Sequence, residues 1–278
     1  MSQKIEDTNL LQANLSETLK SKGNVLLIHG MWCRGLHLSQ VQEILEKEGY
    51  TCKSIDLPLH ESNADLRKLS KLGISDYIDY LENTVNRLGW KEPILLGHSL
   101  GGLLAQLLAT RIKTKALILI TPVQPGQISG LSWTGLKTVW EILRTPFFWR
   151  RTNLLSKNKF AYGIYNTLSE SKQNDLYPSY VSESGKIAFQ TFLPFLTLSR
   201  PTWMDFKKVQ CPVFVATTGK DRVTPPKIGR KIASKYSNSK LKLYPKLSHW
   251  AITEDGIEKI LLDATSWVQE ETQMPRKS

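Results

Sequence analysis

The chain has 278 residues, 41% hydrophobic and 22% charged, a globular composition with apolar material for one large core. No apolar run approaches the ~18 residues of a membrane span, and the opening MSQKIEDTNLLQANLSETLK lacks the basic-then-apolar pattern of a signal peptide, so a cytoplasmic protein is expected. The net charge of +12 favours anionic partners, but Lys and Arg are spread without a helix-turn-helix, zinc-finger or single-strand-binding signature, and no nucleic-acid partner is expected.

Cys33, Cys52 and Cys211 are too scattered for a disulfide framework or a ligand cluster, so reduced thiols and no metal are expected. Cys33 reads as a small buried filler rather than a reactive thiol.

The apolar run 25–28, bounded by Gly23-Asn24 and His29-Gly30, predicts a buried strand. Leu38, Val41, Ile44 and Leu45 follow at helical spacing and stop at Gly49. A strand over 50–57, a helix over 74–88, a strand over 93–97, a helix over 99–110 and a strand over 116–120 continue the alternation. It resumes late in the chain with strands over 212–216 and 241–244 and helices over 226–236 and 256–270. Alternating strands and helices predict an α/β fold, a mainly parallel, doubly wound sheet covered on both faces.

From 122 to 206 the alternation stops and aromatics accumulate, which predicts an inserted, mostly helical cap. The expected organisation is an N-terminal extension at 1–22, a core of 23–121 and 207–271, the cap at 122–206, and a tail at 272–278.

Gly97-His98-Ser99-Leu100-Gly101, with Gly102 behind it, matches G-x-S-x-G between a predicted strand and a predicted helix. Such a turn strains the serine backbone, exposes its hydroxyl above the sheet, and leaves no room for a Cβ at the flanking glycines. Ser99 is therefore the candidate nucleophile, with the Leu100 N–H as one oxyanion donor. His29-Gly30-Met31-Trp32 follows the first strand, where a second donor belongs; the Met31 N–H is assigned to it, and His29 is read as a buried strut.

A serine hydroxyl needs a base, itself held by a third group. His98 lies inside the elbow, His37 opens a helix and His60 sits on a loop, which leaves His249 after the last strand. Thr217-Thr-Gly-Lys-Asp221 follows the strand before it and supplies the acid, Asp221; the segment ending Ile120-Thr121-Pro122 offers no carboxylate. Asp205 and Asp255 read as surface residues or helix caps.

HGMW, DLP, GHSLGG, GKDRVTPP and LSHW, in that order, resemble the α/β-hydrolase superfamily over about Gly23 to Trp267, especially esterase and lysophospholipase-like members with a helical cap. The resemblance implies a triad of Ser99, Asp221 and His249, no cofactor, and carboxylic-ester hydrolysis through an acyl-enzyme. It leaves open thioesterase, C–C hydrolase, hydroxynitrile lyase, perhydrolase and acyltransferase chemistry on the same residues, and a non-catalytic ligand-binding protein. An aspartate-nucleophile dehalogenase or epoxide hydrolase is excluded by Ser99.

Trp32 and Trp250 are the candidate substrate-contacting aromatics. Between 133 and 160, Trp133, Trp140, Phe147, Phe148, Trp149 and Phe160 interleave with six cations against one acid, Glu141. Such a cap suits an acyl chain below and an anionic lipid surface above; the other reading packs the aromatics onto the core beneath a solvated basic face. Phe192, Phe195 and Leu196 are expected to descend toward the pocket mouth, giving a small hydrophobic ester as the expected ligand.

Overall fold

The structure, a computed structural model, describes residues 21–130 and 132–273. Most of the predicted N-terminal extension and tail lies outside the described residues.

Six strands form one sheet: β1 Asn24–Ile28, β2 Thr51–Ile55, β3 Ile94–His98, β4 Ala116–Ile120, β7 Val213–Thr218 and β8 Ser239–Tyr244. Their order is β2-β1-β3-β4-β7-β8, and each neighbouring pair is parallel. The four inner strands are almost continuously apolar because helices cover both their faces. The outer strands TCKSI and SKLKLY carry Lys53, Lys240 and Lys242 instead, charges that discourage edge-to-edge pairing.

Helices α1 Ser39–Lys47, α2 Leu66–Leu69, α3 Ile74–Arg87 and α4 Leu100–Leu108 lie in the first half of the core. Gly49 stands just past α1 at φ +91°, a conformation that favours glycine. Gly73 N–H, at the start of α3, donates to Asp76 Oδ2 at 2.7 Å, so the acid in the first turn satisfies an orphan donor. Helix α4 is buried along its whole length, more completely than an amphipathic reading allows, since it crosses the centre of the sheet.

Between β4 and β7 the chain forms α5 Trp133–Leu143, α6 Lys157–Gly163, α7 Glu170–Leu176 and α8 Gly185–Phe192. An antiparallel ribbon of β5 Thr152–Asn153 and β6 Glu183–Ser184 ties them together. Two-residue strands have no readable period, and the sequence showed no sign of them. The core closes with α9 Pro226–Ala233 and α10 Ile257–Gln273, the latter packed on α1.

The chain runs from β1 outward to β2 and then returns to place β3 on the other side of β1. A crevice opens at such a reversal, at the carboxyl ends of the strands. The register Ile28↔Gly97 and His98↔Ile120 brings the loops after β1, β3 and β4 level at that edge.

Candidate active site

Ser99 follows β3 directly and adopts φ 54°, ψ −117°, the strained conformation of a sharp strand-to-helix turn. The turn is close-packed by backbone. A Cβ on Gly97 would lie 2.2 Å from the Gly101 carbonyl oxygen, and one on Gly101 would lie 2.1 Å from that of Ile28. Ser99 N–H donates to the Ile120 carbonyl at 3.1 Å, and its carbonyl accepts from Gly102 and Val123, so the strain is held by the sheet edge.

The structure brings Ser99, His249 and Asp221 together from three loops. Ser99 Oγ–H donates to His249 Nε2 at 2.8 Å, and His249 Nδ1–H donates to Asp221 Oδ2 at 2.9 Å. All three are buried. Asp221 Oδ1 accepts from the backbone N–H groups of Val223 and Thr224, both at 2.7 Å. Burial alone would raise the Asp221 carboxyl, but His249 and these hydrogen bonds hold it below its ordinary value.

Three residues that sequence reasoning missed hold this chain in place. Thr224 Oγ1 sits 2.9 Å from Asp221 Oδ2 and 3.0 Å from the Thr121 carbonyl. Thr121, which occupies the strand end that lacks a carboxylate, has φ 44° and donates through Oγ1 to the His249 carbonyl at 3.1 Å. Buried Glu254 accepts from Ser248 N–H and Oγ–H and from Thr167 Oγ1, fixing the His249 loop to the segment between β4 and β7. The only signal for them was their place inside or beside motifs already singled out.

Met31 and Leu100 line the same cavity as Ser99, and among the described residues neither backbone N–H donates a hydrogen bond. Trp32 follows at φ 64°. Its carbonyl accepts from Val181 N–H at 2.9 Å and its indole donates to Asn153 at 3.0 Å, so the ribbon side of the cap grips this loop. Trp32 and Trp250 both line the cavity over Ser99, with Met31, Val139, Phe160, Ile164 and Phe192 among the other walls.

Of the apolar group expected at the mouth, Phe192 lines the cavity, whereas Phe195 and Leu196 are 67% and 65% exposed. They lie beyond the end of α8, on a turn led by Pro194 that points them to solvent. The cavity itself is about 30 Å3, room for about two waters.

The other histidines are structural. His29 donates through Nδ1 to Gly30 and accepts Leu57 N–H at Nε2; His98 donates to the His249 carbonyl at 2.9 Å; His37 donates to Ser179 at 2.7 Å. Burial pushes His29 down, His37 to about 4 and His98 to about 3, so all three are neutral at pH 7. His60 is different: it meets the buried Glu183 carboxylate at 3.3 Å, which also accepts from Tyr77 OH at 2.7 Å. Burial would lower His60, but Glu183 overcomes it and raises the imidazole above its ordinary value. Cys33 is buried and its thiol is pushed up, an inert filler.

These shifts set an acid sensitivity. A histidine held neutral in the fold contributes stability that is complete above its unfolded value of about 6.5 and is lost as pH falls toward the folded value. His29, His37 and His98 act in that sense, and Asp221 does so at lower pH. His60 acts oppositely, its contribution present below about 6.5 and lost as pH rises through its raised value. With three against one, the melting temperature is expected to fall steadily from pH 7 to pH 4 in calorimetry; a flat or rising profile would contradict this assignment.

A serine, an imidazole and a carboxylate in hydrogen-bonded series, the serine on a strained strand-to-helix turn at the edge of a parallel sheet, define a nucleophile-elbow hydrolase architecture. A model of the alpha/beta hydrolase family matches residues 25–261, and the chain belongs to that family. A methylesterase of Arabidopsis superposes with a TM-score of 0.67 at 17% identity, covering 88% of this chain and 99% of that one. A pyrethroid hydrolase of Sphingobium faniae gives 0.67 at 20%, covering 91% and 99%, and a monoacylglycerol lipase of Paleococcus ferrophilus gives 0.66 at 18%, covering 90% and 95%. In sequence, a putative esterase/lipase of Mycoplasma pneumoniae is 24% identical over 106 residues, 37% of this chain and 39% of that protein.

Proposed function

We propose that the protein is a serine hydrolase that cleaves carboxylic esters carrying a hydrophobic acyl or aryl group, with lysophospholipids and monoacylglycerols as candidate substrates. The observation that carries this reading is the unbroken series Ser99 Oγ–His249 Nε2 at 2.8 Å and His249 Nδ1–Asp221 Oδ2 at 2.9 Å.

In the first half-reaction Ser99 Oγ attacks the acyl carbon as its proton passes to His249 Nε2. The tetrahedral oxyanion takes the Met31 and Leu100 N–H groups, which among the described residues have no other acceptor to give up. His249 then protonates the leaving alcohol oxygen, and the acyl group remains on Ser99. Water, deprotonated by the same imidazole, attacks the acyl-enzyme and releases the acid and free serine. Asp221 keeps the Nδ1 proton in place, so that Nε2 faces Ser99 as an acceptor, and it stabilises the imidazolium in both halves.

The apolar walls support a hydrophobic acyl group, and the esterase and lipase names among the relatives point the same way. The cavity over Ser99 is narrow, and a long acyl chain would enter it by spreading the cap walls, which include Val139, Phe160 and Phe192. Free thiols at Cys33 and Cys52 fit a reducing compartment such as the cytoplasm.

A series of p-nitrophenyl esters of increasing acyl length tests the reading. Turnover is expected to rise from acetate to medium chains as more apolar surface is buried, then to fall once the chain outgrows the opened cap. Absence of turnover on every ester would remove the ester assignment and direct attention to thioesters, C–C bonds or acyl transfer.

A further inference from the structure

Helix α5 has two apolar sides. Thr138, Val139 and Ile142 face inward, the first two lining the cavity over Ser99. The outer stripe reads Trp133, Lys137, Trp140 and Arg144, spaced by four, three and four residues, so the four side chains share one face. Trp133 is 82% exposed and Trp140 52%. Large aromatic side chains in such a row are not needed to fill the cap; Phe148 and Phe160, from the same stretch of sequence, are the ones buried in it.

The exposed row continues around the cavity. Phe147, turned outward at φ 56°, meets Trp149 at 5.7 Å, and Trp149 meets Phe189 of α8 at the same distance. Helix α8 ends at the cavity wall with Phe192, and the turn after it presents Phe195, Leu196 and Leu198, the last 102% exposed. Apolar groups therefore project to solvent from α5 and from the turn that follows α8, two segments that border the cavity.

Cations outnumber acids on this rim. Arg144, Arg150 and Arg151 are exposed beside the aromatics, and the one acid between 133 and 160, Glu141, is occupied by Ser156 N–H and Oγ–H. Aromatic rings with cations among them match the head-group layer of a bilayer, where rings sit at the acyl boundary and Lys or Arg meet phosphate. A symmetric contact with a second copy would instead set these cations against themselves.

We infer that this face of the cap docks on an anionic lipid surface. Docking places the outer side of α5 and the turn after α8 in the interface and opens the cavity toward the acyl layer, so that a hydrophobic ester passes from the lipid to Ser99. The last clause rests on the hydrolase reading; the docking does not.

The test is sedimentation of the full chain with sucrose-loaded phosphatidylcholine vesicles, with and without phosphatidylglycerol, at low and high salt. Binding is expected only with phosphatidylglycerol and is expected to fall as salt rises. The double substitution Trp133→Ser/Trp140→Ser and the pair Lys137→Glu/Arg144→Glu are each expected to weaken it by about tenfold or more. Turnover of a short soluble ester by these variants is expected to match the parent, which shows that they fold. Failure of the parent to bind at low salt, or equal binding by the tryptophan variant, would overturn the proposal. So would a concentration-dependent dimer in sedimentation velocity that the tryptophan variant abolishes. Vesicle binding without turnover of any ester would retain the docking surface and count against the hydrolase reading alone.

Discussion

Ser99→Ala is expected to lower kcat on the best ester by about 10^4- to 10^6-fold while leaving the melting temperature nearly unchanged. The activity loss follows from removing the only atom that forms the acyl-enzyme. Stability is retained because alanine at φ 54° is strained no more than serine, and the main-chain bonds of residue 99 to Ile120, Gly102 and Val123 do not involve the side chain. Adding His249→Ala to Ser99→Ala is expected to cost little more, since an imidazole with no hydroxyl to deprotonate has little left to do. Steady-state kinetics with a calorimetric control reads both; a Ser99→Ala protein within tenfold of the parent would remove the proposed mechanism.

Asp221→Asn is the second large effect, and its origin is a hydrogen-bond constraint. Asp221 Oδ1 accepts from Val223 and Thr224 N–H at 2.7 Å, so an asparagine there must keep its carbonyl oxygen at that position. Its NH2 then replaces Oδ2 and donates toward His249 Nδ1. The imidazole responds by carrying its proton on Nε2, pointed at Ser99, where it can no longer accept one. The wrong tautomer is expected to cost kcat about 10^4-fold with little change in KM. A loss of less than about tenfold would mean that another carboxylate orients His249, and Glu254, the nearest acid in the chain's own His249 loop, would be the first to examine.

The parts of this site that could be read from sequence are those that glycine and chain order impose. Gly97 and Gly101 are required because backbone carbonyls lie 2.2 and 2.1 Å from where their Cβ atoms would be, and that requirement shows in the letters G-x-S-x-G. The sheet was legible for a similar reason, since inner strands such as ALILI are apolar on both faces and cannot be mistaken for surface. Glu183 shows the limit. Nothing in Val181-Ser-Glu-Ser marks it as a buried acid, because its partners His60 and Tyr77 lie more than a hundred residues away in sequence. Phe195 and Leu196 are as apolar as Phe192 in sequence, and only the Pro194 turn, which directs them outward, separates them from it. Thr121 and Thr224 look like ordinary loop residues until the fold brings one's carbonyl to the other's hydroxyl.

The most direct test is to treat the purified protein with a fluorophosphonate probe and map the adduct by peptide mass spectrometry. The account predicts one adduct, on Ser99, formed rapidly by the parent and absent from Ser99→Ala. A folded protein that takes up no probe, or carries it on a residue other than Ser99, would contradict the assignment of Ser99, His249 and Asp221 as a working catalytic set.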